Sequence, residues 1–157
     1  MGLSGARLRL RYSRNPTAAN VSIVLCTEVL EHVPDPVAAL KAMVGACRDG
    51  GQLIITVPLI SLMHQAPYWY SSGLSPFWFQ YWSSHLSVEI ERLEVFGDYG
   101  DLLAQESSRI VAERGLPRGS GRLAELVVRR LTRKLPRRVL TSGGFGVLFS
   151  GRKTLPV

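Results

Sequence analysis

Glu28, Glu31 and His32 sit close together in the stretch LCTEVLEHVPDP, residues 25–36. Placed at i, i+3 and i+4, two carboxylates and an imidazole share one face of a helical turn. Such a set can hold a divalent cation, or it can supply a general base that takes the proton of a hydroxyl nucleophile. It also has a purely structural use, because acids in a first helical turn favour the helix dipole. Cys26 and Thr27 come just before it. Cys26 can be a packed small apolar residue and Thr27 a helix cap, or both can face a ligand. His64 follows in a loop with no partner at ligand spacing, which suits a surface or lid role. Tyr68 and Tyr70 open the aromatic stretch PYWYSSGLSPFWFQYW, residues 67–82, which can cap a pocket or simply pack a helix through Trp78 and Trp82.

These residues need elements to position them. VSIVL, residues 21–25, is a short β-branched run with the look of a strand buried on both faces. Asp35 as N-cap and Pro36 at the first helical position begin a helix. Val37, Leu40, Met43, Val44 and Cys47 recur along it, and Gly50 and Gly51 stop it. LIITV, residues 53–57, is a second buried-type strand ended by Pro58. Strand, helix and strand at this spacing form a βαβ unit with parallel strands. Ser75 and Pro76 start another helix, with Trp78, Tyr81, Trp82 and His85 along one face. VEIERLEVF, residues 88–96, alternates like a half-exposed strand. Residues 101–114 read as helix, 115–121 as a breaker and 145–150 (FGVLFS) as a last strand.

The 157 residues fit one domain, with 46% hydrophobic and 20% charged residues. The two cysteines, Cys26 and Cys47, form no CxxC pair, so neither a zinc ribbon nor a disulfide framework is implied, and a reducing cytoplasmic setting is expected. The longest apolar stretch, LIITVPLISLM, contains a proline and is too short to span a bilayer. The net charge of +7 is uneven. Arg7, Arg9, Arg11 and Arg14 make residues 1–14 purely basic, residues 15–121 are net acidic, and residues from Arg122 onward are strongly basic again. The isoelectric point near 10.0 is therefore no whole-surface nucleic-acid footprint, and no nucleic-acid partner is expected. Residues 122–138 form a basic amphipathic helix, with Leu123, Leu126, Val127, Leu131 and Leu135 on one stripe and Arg129, Arg130, Arg133 and Lys134 mostly off it. A solvated face, an anionic membrane surface and a nucleic-acid contact are its three readings, the first being preferred.

The run VSIVLCTEVLEHVPDPVAALKAMVGACRDGGQLIITVP resembles the second half of the class I S-adenosylmethionine-dependent methyltransferase fold. There the fourth strand ends in a VLEHV-type sequence, a helix follows, and a (P/D)GG turn leads into a fifth strand ending near proline. The resemblance extends through the aromatic stretch to FGVLFSGRK, about residues 20–153. It implies an α/β fold: a partial Rossmann-like doubly wound sheet holding strands 4, 5, 6 and 7 of the family order 3-2-1-4-5-7-6, with strand 7 antiparallel. Residues 21–153 would form this methyltransferase-like domain behind a basic segment, residues 1–20.

The resemblance further implies S-adenosylmethionine as cofactor, with Cys26, Thr27 and Glu28 at its methionine end. Glu28 and His32 are the catalytic candidates, and Tyr68, Tyr70 and His64 would meet a small-molecule acceptor. The ExxEH run is also similar to that of quinone-pathway O-methyltransferases, where metal binding occurs as a family possibility; no metal is assigned here. Neither a glycine-rich turn nor an acid precedes Glu28, and Gly119-Ser-Gly121 and Gly143-Gly144-Phe-Gly146 come after the βαβ unit. Family sites need that turn and acid on earlier strands. A truncated chain is therefore expected, with a degenerate homologue or a partner chain completing the sheet as the other readings. Half a sheet leaves a strand edge open, so an oligomer is expected. The competing function is a non-catalytic binding or scaffolding module that contacts a membrane surface or protein partner.

Overall fold

A computed structural model describes residues 20–117, 119–133 and 144–155. The four arginines of the basic N-terminal segment, and residues 134–138 of the basic helix, lie outside the described residues. Four strands form one sheet in the order β1-β2-β4-β3: β1 (Val21–Thr27), β2 (Cys47–Pro58), β3 (Val88–Phe96) and β4 (Gly146–Lys153). β1 and β2 are parallel, and β4 runs antiparallel to both β2 and β3. That is the expected 4-5-7-6 arrangement with an antiparallel strand 7.

Helix α1 (Pro36–Ala46) links the parallel pair. Its start is as expected, with the Asp35 carboxylate accepting from the Ala38 N–H at 2.9 Å. Its end is not, because Cys47 already belongs to β2, paired with Val21. Sheet pairing overrides the glycine stop, and Gly50 serves instead as a left-handed corner at φ 69°. Helix α2 (Pro76–His85) begins at Ser75, whose hydroxyl accepts from the Trp78 N–H at 3.3 Å. The aromatic residue that α2 buries is Phe79, stacked on Phe149 at 5.0 Å between ring centroids, and Ser83 is buried one turn on. Trp78 and Trp82 only flank the core, and Tyr81 is exposed.

Leu40 and Val44 of α1, Phe79 of α2, and Leu53, Ile55, Val57, Val147 and Phe149 of the sheet make one core. Ile55 lies opposite Phe149 in the ladder, so both helices cover the same face of the sheet. The opposite face has no helix packed on it among the described residues. This corrects the reading of β1 as buried on both faces. Val24 and Cys26 pack against the core, whereas Ile23 and Leu25 point the other way and are 59% and 68% exposed.

After β3, helix α3 (Tyr99–Glu113) opens with a reciprocal capping box between Asp98 and Asp101. Helix α4 (Ser120–Thr132) returns against it. Among the described residues no helix is long and apolar enough to cross a membrane.

Candidate active site

β1 releases the chain at Thr27. Glu28 takes a left-handed backbone, φ 51°, uncommon for a residue with a side chain, while its N–H still donates to the Thr56 carbonyl at 2.9 Å. A single 3-10 turn, Leu30–His32, follows. Leu30 enters the core and Glu31 goes in beside it, each 1% exposed. The Tyr70 N–H donates to the Glu31 carbonyl at 2.9 Å, so the aromatic loop clamps this turn from outside. Glu28 stands outside the turn, and the single helical face expected for Glu28, Glu31 and His32 does not form. All three nonetheless line one cavity of about 460 Å³.

The cavity opens where β1 and β2 end, at the carboxyl edge of the parallel pair, the usual ligand position in open α/β sheets. Pro58 at the end of β2 closes it, with Ser61 and His64 from the loop that follows and Gln105 and Arg109 from α3. Glu31, His32 and His64 each bring a ligand-type atom within 4.8 Å of the others. The two imidazoles meet edge to face at 4.9 Å. His64 thus has the partner that its sequence neighbourhood did not reveal.

Hydrogen bonds fix the histidines. Nδ1 of His32 lies 2.6 Å from the Tyr68 carbonyl, and Nδ1 of His64 lies 2.9 Å from the Leu62 carbonyl. A carbonyl only accepts, so in each ring Nδ1 donates, which leaves Nε2 as the atom free to serve the cavity. Nε2 of His32 is 3.6 Å from the Glu31 carboxylate. Burial pushes the Glu31 carboxyl above its usual range, and the nearby Glu28 charge adds to this. Its own backbone N–H and the two imidazoles pull the other way. The Glu31 Oε2 atom is buried without a hydrogen-bond partner, a costly state for a carboxylate.

Cys26 is half-buried, and burial, then Glu31 and Glu28, push its thiol up, so it stays protonated and unreactive at neutral pH. Thr27 is exposed, and the turn's cap position, Val29, has no side-chain cap. Tyr68 and Tyr70 are 66% and 50% exposed and stand off the cavity wall. Their main chains, not their rings, touch the cluster. Arg109 escaped the sequence reading. Its guanidinium donates to Glu106 at 2.8 Å and to the Ser61 hydroxyl at 3.4 Å, and only its i, i+3 spacing from Glu106 hinted at a held side chain.

A family profile described as a methyltransferase domain matches residues 11–95, just over half of the sequence. The chain belongs to the methyltransferase domain family. The match begins within the basic segment 1–20 and ends in β3. Solved structures extend the likeness of fold across β4. An S-adenosylmethionine-dependent methyltransferase of Archaeoglobus fulgidus shares 16% identity over 88% of this chain and 63% of its own, with TM-score 0.50. A Galdieria sulphuraria protein assigned as a sarcosine dimethylglycine methyltransferase shares 11% over 92% and 58%, with TM-score 0.53. The Haemonchus contortus phosphoethanolamine N-methyltransferase 2, in complex with phosphomonomethylethanolamine and S-adenosylhomocysteine, shares 12% over 92% and 36%, with TM-score 0.50. This chain therefore spans about a third to two thirds of the length of these relatives. No curated protein sequence matches it.

S-adenosylmethionine is the methyl donor of this class of enzymes. The described residues suit one end of it: the strand exit presents Thr27 and the Glu28 carboxylate, a fitting surface for a cationic amino-acid end. A glycine-rich turn and a ribose-binding acid of the usual kind are not among the described residues.

Proposed function

We propose that this chain forms the acceptor side of an S-adenosylmethionine-dependent site that methylates a hydroxyl of a small molecule. Cys26, Thr27 and Glu28 lie along the methionine end of the cofactor, and His32 takes the acceptor proton at Nε2. The observation that carries this reading is the His32 ring, held as a base by the Tyr68 carbonyl inside a cavity at the carboxyl edge of parallel strands. Methyl transfer asks mainly for in-line placement of nucleophile and sulfonium, which suits a cavity with one oriented base. His64 lines the acceptor side, while Tyr68 and Tyr70 act through their main chains. The free thiols fit the cytoplasm as its setting.

Calorimetric titration of the full chain with S-adenosylhomocysteine tests the reading. Heat of binding that falls at least about tenfold in affinity with Glu28→Ala, a loss of about 1.4 kcal/mol, is the expected result. Neither heat nor thermal shift at millimolar ligand would leave the other class, a non-catalytic module. The exposed Ile23 and Leu25 support an added layer or partner chain on the open side of the sheet in either case.

The unpartnered Glu31 Oε2 favours a second reading of the same cluster. Glu31, with His32 and His64 as Nε2 ligands, would hold a divalent cation whose role is to bind the acceptor oxygen. The carbonyl partners of both Nδ1 atoms are the outer contacts that orient ligating histidines. Melting temperature raised by Mg²⁺ or Zn²⁺ in the native chain, and unmoved in Glu31→Gln or His64→Ala, is the outcome expected of this site; no metal response in the native chain would dismiss it.

A further inference from the structure

Helix α4 packs with its small and polar side inward. Gly121 meets Ser108 of α3, and an added Cβ would stand 2.9 Å from the Ser108 hydroxyl. Thr132, at the other end of α4, is buried against Gly100. Glu125, the helix's acid, pairs with Arg129 at 3.0 Å, and Arg129 also reaches Asp101 of α3. At 100° per residue these positions share the side toward α3. The side away from α3 carries Leu123, Leu126, Val127 and Leu131, 48–64% exposed, with Arg130 exposed among them and the exposed Arg122 and Arg133 at its border with α3. The leucine stripe therefore faces water along with the arginines that the sequence placed off it.

We infer that this outward face of α4 is a docking surface for an anionic lipid bilayer. Arg130 on that side, with Arg122 and Arg133 along its border, matches an anionic surface in charge. Leucines between them match the apolar boundary beneath the headgroups, and arginine stems can lie along that boundary with their guanidinium groups in the headgroup layer. α4 carries no aromatic side chain for bases to stack on, which argues against single-stranded nucleic acid. The sequence just beyond, Lys134 to Arg138, adds three more cations. α3 provides Gln105 and Arg109 to the candidate active site, so docking through α4 would bring that cavity to the membrane surface. The docking itself does not depend on methyl transfer.

Flotation of the full chain with vesicles decides the matter. Phosphatidylcholine vesicles with about 30% phosphatidylglycerol should carry the protein at low salt, and raising ionic strength to about 0.5 M should release most of it. The triple variant Arg122→Gln, Arg130→Gln, Arg133→Gln should bind at least about tenfold more weakly, and Leu123→Ser with Leu126→Ser should bind weakly even at low salt. All five side chains are exposed, so unchanged circular dichroism and melting would show that the fold is intact. No flotation at low salt, equal flotation on pure phosphatidylcholine, or undiminished binding by the arginine variant would overturn the inference. So would self-association lost in the leucine variant without vesicle binding in the native chain, which would assign the face to a second copy.

Discussion

On the face of the sheet beneath α1 and α2, Leu53, Ile55 and Val57 are withdrawn from water completely. On the opposite face, Ile23 and Leu25 of β1 remain open, while the β3 and β4 side carries Arg92, Glu94 and Arg152. The open face thus changes character across its width. At β3 it is finished for water. There Glu91 sits at a register shift in the ladder, accepts from Arg152 at 2.7 Å and accepts from the Gln52 amide at 3.1 Å. Charge and a bulge are common protections of an edge strand. At β1 the composition is that of an inner strand, apolar on both faces, so the two ends of the open face differ in chemistry.

The largest effect should come from the covered face. Ile55→Ala removes buried methyl and methylene groups next to Phe149 and should cost about 2–5 kcal/mol in urea or thermal unfolding. A loss below about 1 kcal/mol would mean that this face is not the core. Glu91→Gln, on the finished part of the open face, should cost about 0.5–1 kcal/mol. That loss should shrink in high salt, because the Arg152 pair it weakens is partly exposed. A salt-insensitive loss would point to the Gln52 contact as the part that matters.

The same contrast explains what could be read from the sequence. Asp35 with Pro36 and Ser75 with Pro76 cap helices through bonds spanning three residues, so their positions were legible. The order of strands followed from the family resemblance. The end of α1 was not legible, because Cys47 is claimed by Val21 through the ladder. The choice between the two glutamates was also hidden. Glu31 is buried because the Tyr70 N–H comes back to its carbonyl, and the meeting of His32 with His64 depends on the path of the loop after β2. Arg109 and Gln105 arrive from α3, beyond any local pattern. β1 read as buried on both faces because its residues are of that kind, whatever layer lies over them.

The smallest expected effect tests this last point most sharply. Ile23→Ser changes a side chain 59% exposed on the open face, and with nothing over it the change should alter unfolding free energy by no more than about 0.5 kcal/mol. It should also make the chain less prone to associate, since it removes apolar surface beside a strand edge that is unpaired among the described residues. If the variant instead lost as much stability as Ile55→Ala, Ile23 would have to be covered in solution. The two faces of β1 would then be alike, and the open face would be the seat of a second layer. A loss that appeared only at high protein concentration would identify that layer as another copy of the chain, because only an intermolecular contact scales in that way.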